Sequence, residues 1–476
     1  MTDQIDKFFA QLAEIHTPVL TDFSQGTKRQ IVGRDLTDWL DRTAGWLANS
    51  GVKPGSCFVA RFDNTLESAL ILLAAMRHGM TVTIQHADAS DSDIGPLAQS
   101  CGATVIVDAT SRNIPENQAG FRAECLMEFE PLMPEPVPPR TPFTITFTSG
   151  STGTPKGIVH AAESYLKCSK AFNAQAGIGA DDTFLNVMPM YYMAGIFNGI
   201  IAPLQAGASV VIYPAFDTRI ALTFWNIIND NAVSCLWVSP TMLSLITRLD
   251  RTEKRVPKSL RRIFVGTGAL EKAHAEAFHA TYGLPPLQSY GLSELLYISV
   301  DDAERPQFGT VGRPLAEVEL SFDSSGILSI ATPYAFLGYL QEGEIGHPDS
   351  LFRTSDLART TDSGALTILG RSDDIILRGG VNVNPLDLES VMVEALAGRR
   401  YCVTGLPDVA LGQKVVLALE GPPCEGDEAL FATLQKLVRS RFGRVQLDML
   451  NYVAAMPQGP TGKVRRAELH QVLAHS

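Results

Sequence analysis

Thr148-Ser149-Gly150-Ser151-Thr152-Gly153-Thr154-Pro155-Lys156-Gly157 is the stretch from which the fold can be read. The residues before it, Phe143 to Phe147, are aromatic or β-branched throughout and read as a strand. Hydroxyl side chains, glycines and one lysine then crowd together. Glycine lets the backbone curl until successive N–H groups face one anion, Ser and Thr add donors, and Lys156 adds a charge. The pattern is that of a loop that holds phosphate, although its spacing is not G-x-x-x-x-G-K-[ST]. A merely flexible polar loop would need neither the lysine nor the strand before it.

Outward from this loop the chain alternates strands and helices. Upstream, Cys57 to Phe62 reads as a strand, and Leu66, Ala69, Leu70, Leu73 and Ala74 recur at helical spacing. Asn64 is the expected cap of that helix, with Glu67 completing a capping box. Gly79 stops the helix, and Thr81 to Ile84 reads as the next strand. Strand, helix and strand in this order predict parallel sheets with covering helices. Glu130 to Pro142 holds six prolines in thirteen residues and can only be a connection. Downstream, Val210 to Tyr213, Cys235 to Val238 and Arg262 to Val265 are expected buried strands. After Gly370 the texture changes at Arg371-Ser372-Asp373-Asp374. About 100 residues follow with their own elements: a helix near 385–397, strands near 401–405 and 414–419, and a helix near 428–441. The reading is an α/β fold with a large N-terminal part of several subdomains, 1–370, a hinge at 371–373, and a small α+β domain, 374–476.

Composition narrows the function. The chain has 476 residues, 45% hydrophobic and 19% charged, enough apolar material for large cores. Lys and Arg number 39 against 51 Asp and Glu, a net charge of −12, which argues against nucleic acid as a partner. The seven cysteines are widely spaced with no C-x-x-C, so a disulfide framework or zinc site is not expected, and seven buried thiols in a reducing cytosol are. The first residues do not resemble a signal peptide, and the apolar run Ala69 to Met76 is far too short to span a membrane. A cytoplasmic enzyme is expected.

The loop and five further segments resemble the acyl-adenylate-forming superfamily, which includes acyl-CoA synthetases, adenylation domains of nonribosomal peptide synthetases and firefly luciferase. Gly266-Thr267-Gly268-Ala269-Leu270 resembles the segment that lies along adenine. Ser289-Tyr290-Gly291-Leu292-Ser293-Glu294 resembles Y-G-x-T-E, with Ser293 for the common Thr. Phe352-Arg353-Thr354-Ser355-Asp356 resembles x-T-G-D, with Ser355 for Gly. Gly370-Arg371-Ser372-Asp373-Asp374-Ile375-Ile376 resembles the hinge motif G-R-x-D-D-x-I, and Leu377 stands where many members carry Lys. Pro457 to Arg466 resembles the C-terminal P-x-x-x-x-G-K.

The resemblance implies roles. Thr148, Ser149, Gly150, Ser151, Thr152, Gly153 and Lys156 would bind the phosphates of ATP. Gly268, Ala269, Tyr290 and Gly291 would face the adenine, Asp356 the ribose hydroxyls, and Arg371 ribose or phosphate. Glu294 would support Mg2+, a hard cation that suits a carboxylate oxygen. Lys463 would be the catalytic lysine and Asp373 the hinge. The implied reaction joins a carboxylic acid to AMP with release of pyrophosphate. The acyl group then passes to the thiol of CoA, or of phosphopantetheine on a carrier protein.

Pro189 to Gly195 resembles the segment bearing the acyl pocket, and Tyr192, Met193, Ala194, Phe197, Trp237 and Thr241 are its expected lining. No acidic residue lies between Tyr191 and Gln205. A buried α-ammonium would go unpaired there, so an acyl or aryl acid is expected and not an α-amino acid. Arg378, Arg399, Arg400, Arg439, Arg441 and Arg444 are candidates for a basic patch that receives CoA. His160 is expected to be packing. Two other classes stay open from sequence: a luciferase-like oxygenase, and a nucleotide-binding protein without catalysis. The intact Lys156, Glu294, Asp356 and Lys463 argue against the latter.

Overall fold

A computed structural model describes residues 4–110, 119–148, 156–250, 256–341, 343–396, 398–443, 445–459 and 464–474. By compactness the chain divides into two units. One is Met1–Glu319 with Ala331–Phe352, and the other is Leu320–Ile330 with Arg353–Ser476.

The first unit is built on two large mixed sheets. In the nine-stranded sheet, Pro18–Asp22, Ser209–Ile212, Thr183–Asn186, Cys235–Val238, Arg262–Val265 and Pro286–Leu292 run parallel. Antiparallel strands close both edges, Arg29–Val32 at one and Leu296–Val300 at the other, with Arg313–Pro314 beyond the latter. In the eight-stranded sheet, Ile106–Asp108, Cys57–Phe62, Thr81–His86 and Pro142–Thr148 run parallel. The chain then doubles back antiparallel through Lys156–Ala161, and Gly338–Gln341 adds to that strand. Parallel strands with both faces covered are near-continuous apolar runs. Cys235–Val238 is such a run and is buried throughout. The helix Leu66–Arg77 is apolar on all sides, and all but its last residue is buried.

That helix begins one residue later than the sequence suggests. Thr65 is the cap, its hydroxyl accepting from the Ser68 N–H at 3.1 Å. Asn64 instead reaches across the fold: its amide donates to the Met188 carbonyl at 3.0 Å and its Oδ1 accepts from the Met190 N–H at 2.9 Å. Glu67 forms no capping box either. It is fully buried and takes two hydrogen bonds from Arg29, at 2.6 and 2.9 Å. Both corrections have one cause. A buried polar side chain goes to whichever partner the tertiary fold offers. The proline-rich connection has no helix or strand between residues 130 and 141. The other expected strands and helices form, with ends shifted by a few residues.

The second unit holds a four-stranded sheet, Glu319–Phe322, Ile327–Ala331, Phe352–Thr360 and Leu366–Arg371, and a five-stranded one. In the latter, Tyr401–Asp408 and Gly412–Glu420 form a long antiparallel pair, covered by the helices Pro385–Met392, Asp427–Phe442 and Arg466–Ala474. Among the described residues no helix is long and apolar enough to cross a membrane.

Of the seven thiols, Cys168, Cys235 and Cys402 are buried, whereas Cys57, Cys101 and Cys125 are partly exposed and Cys424 is exposed. The expectation of seven buried thiols is therefore corrected. Burial pushes the Cys168 thiol well up and the Cys235 thiol up to about 12, so neither is a nucleophile.

His160 is packing of a directed kind. It lies 2% exposed in Lys156–Ala161, edge-on to Tyr165, and its Nε2–H donates to the Ser293 carbonyl at 2.7 Å. Burial lowers its pKa to about 4, partly opposed by that bond. A free histidine titrates near 6.5, so between these values the unfolded chain takes up a proton that the folded chain refuses. The stability that His160 contributes is thus present above pH 6.5 and lost as pH falls toward 4. Denaturant titrations should show wild type losing about 2 kcal/mol more than His160→Gln between pH 7 and pH 5. Equal losses would contradict a buried neutral imidazole.

Candidate functional site

Three neighbouring features of the first unit converge at one end of the strands. The antiparallel register pairs Lys156 with Thr148, Ile158 with Thr146 and His160 with Thr144. Tyr339 pairs with Ile158 on the other side. Side chains alternate between sheet faces, so Lys156 and Tyr339 share a face. The Lys156 ammonium lies over the Tyr339 ring, 5.5 Å from its centroid. The Tyr339 hydroxyl donates to Glu294 Oε1 at 2.8 Å. Burial and the Glu294 carboxylate both push the Tyr339 phenol up, so it stays a donor. Glu294 sits in the turn joining Pro286–Leu292 to Leu296–Val300. That turn is held from both sides, by His160 on the Ser293 carbonyl and by the Phe336 N–H on the Glu294 carbonyl at 2.8 Å. One phenol thus holds a cation over its ring and a carboxylate at its hydroxyl. The remainder of the loop, Ser149 to Gly153, lies outside the described residues, as does the Thr148 side chain.

Sequence reading missed Tyr339. Nothing local marks it, since Gly338-Tyr339 follows no recognisable loop. Its partner is 45 residues away, and only the strand pairing with Lys156–Ala161 brings it there.

Ligands in open α/β sheets bind at the carboxyl ends of parallel strands. At those ends lie Trp237, Gly266 to Ala269, and Tyr290 to Gly291. Val265 is in register with Gln288, whose amide donates to the Gly268 carbonyl at 3.3 Å, so the glycine segment is fastened to the strand carrying Tyr290. Thr267 takes a positive φ of 68°, which turns the chain sharply out of the strand. Gly291 is required by close approach: a Cβ there would lie 2.3 Å from the Leu296 carbonyl oxygen.

Of the expected acyl-pocket residues, Tyr192, Met193, Ala194 and Phe197 follow the strand Thr183–Asn186, while Trp237 lies in Cys235–Val238 and Thr241 in the helix Pro240–Leu249. Ala194–Ile201 is a π-helix, a wider turn than the α-helix that often marks functional sites. Gly195 lets it start, since a Cβ would lie 2.1 Å from the Pro189 carbonyl oxygen. Phe197 and Trp237 are buried against the same ring, each 5.0 Å from that of Tyr297. Ala194 is also buried, while Tyr192, Met193 and Thr241 are partly exposed. Asn198 donates to the Tyr297 hydroxyl at 2.6 Å. Among the described residues, Trp237 Nε1 and Asn198 Oδ1 are buried without a hydrogen-bond partner.

In the second unit, Asp356 and Arg371 face each other in register on the antiparallel strands Phe352–Thr360 and Leu366–Arg371. Arg371 Nε lies 3.9 Å from Asp356 Oδ1, and its Nη2 lies 3.4 Å from Asp373. Asp356 is 8% exposed, and its N–H donates to Thr354 Oγ1. Asp373 occupies a single 3-10 turn, Ser372–Asp374. Lys463 lies outside the described residues. The residues around it are pinned: Gln458 pairs with Val464, the Arg465 N–H donates to the Pro457 carbonyl at 2.8 Å, and Arg466 makes two bonds of 2.6 Å to Glu389. The expected basic patch is weaker than its sequence. Arg378 is spent on Asp448 through two bonds of 2.7 Å, and Arg399 on Asp427. Arg444 lies outside the described residues.

Comparison with known proteins adds to this geometry. A 26% identical relative covers 94% of this chain and is covered to 94% by it: the indoleacetate–CoA ligase of Aromatoleum aromaticum. The sulfoacetate–CoA ligase of Cupriavidus necator is 28% identical over 70% of this chain and 68% of its own. Among solved structures, the anthranilate CoA ligase AuaEII with anthranoyl-AMP superposes with a TM-score of 0.85 at 19% identity, over 99% of this chain and 97% of that one. ATP-bound MatB from Rhodopseudomonas palustris gives 0.84 at 20%, over 98% of each. These superpositions show the shared fold of adenylate-forming enzymes, a large N-terminal part with a small C-terminal one. The profile of the family described as AMP-binding enzyme matches residues 13–340, and the chain belongs to that family.

Proposed function

We propose that this chain is an AMP-forming ligase that joins an acyl or aryl acid to CoA by way of an acyl-AMP. One observation carries the reading: Tyr339 links Lys156 to Glu294, in the turn that follows the strand holding Tyr290. Family membership, and relatives that are named CoA ligases, support it.

In the first step the acid's carboxylate attacks the α-phosphorus of ATP and pyrophosphate leaves. Two anions must approach each other, so charge has to be offset. Lys156 and the loop Ser149 to Gly153 hold the departing phosphates, and Tyr290 and Gly291 flank the adenine with Gly268 and Ala269. Asp356 accepts from the ribose hydroxyls, with Arg371 beside it. Lys463 bridges carboxylate and phosphate oxygens. Mg2+ fits the donors present. Among the described residues no three His, Cys, Asp or Glu side chains converge, and Mg2+ needs only one or two carboxylates when phosphates and water complete its shell. Bound at Glu294, it would neutralise phosphate charge. In the second step the CoA thiol attacks the acyl carbon and AMP leaves. We assign residues 374–476 to a lid that turns about Asp373 between the steps and excludes water from the adenylate.

The acid lies against Tyr192, Met193, Ala194, Phe197, Trp237 and Thr241. This wall carries aromatic rings and no carboxylate, which favours aryl and arylacetic acids over α-amino acids.

Pyrophosphate release should depend on an acid from a panel of aryl, arylacetic, short acyl and amino acids, and adding CoA should yield the acyl-CoA. Lys463→Ala should abolish release with ATP affinity within about twofold of wild type. Release without transfer to CoA would instead favour a carrier-protein acceptor, and release with α-amino acids alone would contradict the pocket reading. Tyr339→Phe removes a hydrogen bond to a charged acceptor, worth about 1.5–3 kcal/mol. It should raise the KM for MgATP at least about tenfold and leave the KM of the acid unchanged.

A further inference from the structure

The reverse face of the eight-stranded sheet carries a feature that acid activation does not use. Cys57 opens the strand Cys57–Phe62, and Cys101 ends the helix Asp91–Cys101 that covers this face. The two thiols meet at one hydroxyl. Thr83 Oγ1 lies 3.7 Å from Cys57 Sγ and donates to Cys101 Sγ at 3.6 Å. Thr83 itself is fully buried, while both cysteines are partly exposed. The Cys101 thiol also lies 3.5 Å from the Ala98 carbonyl, and the Cys57 thiol 3.9 Å from the Phe58 carbonyl. Around them pack Ile145, Phe147 and Leu340, which alternate along their strands with residues of the Lys156 and Tyr339 face.

We propose that Cys57 and Cys101 are an oxidisable pair that a hydroperoxide closes to a reversible intramolecular disulfide. The two sulfurs have unlike roles. The neighbouring Cys57 thiol draws the Cys101 thiol below its usual range, so Cys101 is the one that ionises first. The proximity of Cys101, together with burial, pushes Cys57 up, so it acts second. The Cys101 thiolate attacks a peroxide oxygen, the O–O bond breaks, and a sulfenic acid and hydroxide form. Cys57 sulfur then attacks the sulfenic sulfur. The S–S bond forms, the S–O bond breaks, and the Cys57 proton leaves with the departing oxygen as water. Two thiols and one hydrogen peroxide give one disulfide and two waters. Cys168, Cys235 and Cys402 lack this chemistry, because burial holds them as thiols.

The test treats the folded wild-type chain with a small excess of hydrogen peroxide, blocks free thiols with iodoacetamide, and maps peptides by mass spectrometry. The expected product is a Cys57–Cys101 linked peptide, lighter by two hydrogen atoms, that dithiothreitol converts back to two alkylatable thiols. Cys101 should react on the order of tenfold faster than the other described cysteines. In Cys57→Ser, Cys101 should be lost more slowly than in wild type and accumulate as a sulfenic acid that dimedone traps. The proposal is overturned if both residues remain alkylatable after exposed Cys424 has been oxidised, or if wild-type Cys101 passes to sulfinic acid without linking. The wild-type result stands alone should the variant fold poorly.

Discussion

The hydrogen bond from His160 to the Ser293 carbonyl joins a strand of one sheet to a turn of the other. The strand is Lys156–Ala161, and the turn is the one that bears Glu294. The Lys156 ammonium and the Glu294 carboxylate belong to different sheets, and no local stretch of chain supplies both. The His160 bond fixes the turn from one side, and the Phe336 N–H fixes it from the other. Tyr339 then spans the gap, its ring under Lys156 and its hydroxyl on Glu294. Burial that keeps His160 neutral also keeps it a single-tautomer donor, so the brace does not loosen near neutral pH.

The same economy of placement governs the rest of the first unit. Parallel strands deliver loops to one edge, and close backbone approach there restricts the residues allowed. Gly195 and Gly291 both sit where a Cβ would strike a carbonyl oxygen. The π-helix that begins at Ala194 widens the turn beside buried Phe197 and Trp237. In the second unit, antiparallel register alone sets Asp356 across from Arg371, which lets a carboxylate stay partly buried beside a fixed positive charge.

Much of this was legible in the residues. Cys57 to Phe62, Cys235 to Val238 and Arg262 to Val265 are short, mostly apolar runs between turn signals, and each is a strand with those ends. What was not legible depends on partners far apart in the chain. Glu67 has the spacing of a capping box, yet it answers Arg29 from 38 residues away. Asn64 looks like a helix cap and instead fastens Met188 and Met190. Arg378 and Arg399 look like free charge until Asp448 and Asp427 are seen beside them. Tyr339 carries no motif at all and matters only through its register. Local chemistry is written in order along the chain, while pairing across a sheet is fixed only when the sheet forms.

The account rests on Tyr339 acting through Glu294, and a double-mutant cycle on MgATP affinity tests that directly. Equilibrium binding would compare wild type, Tyr339→Phe, Glu294→Gln and the double variant. Tyr339→Phe should weaken binding roughly tenfold in the wild-type background and hardly at all once Glu294 is gone, a coupling of about 1.4 kcal/mol. Equal losses in both backgrounds would mean that the phenol and the carboxylate act independently, and the proposed construction of the site would be wrong.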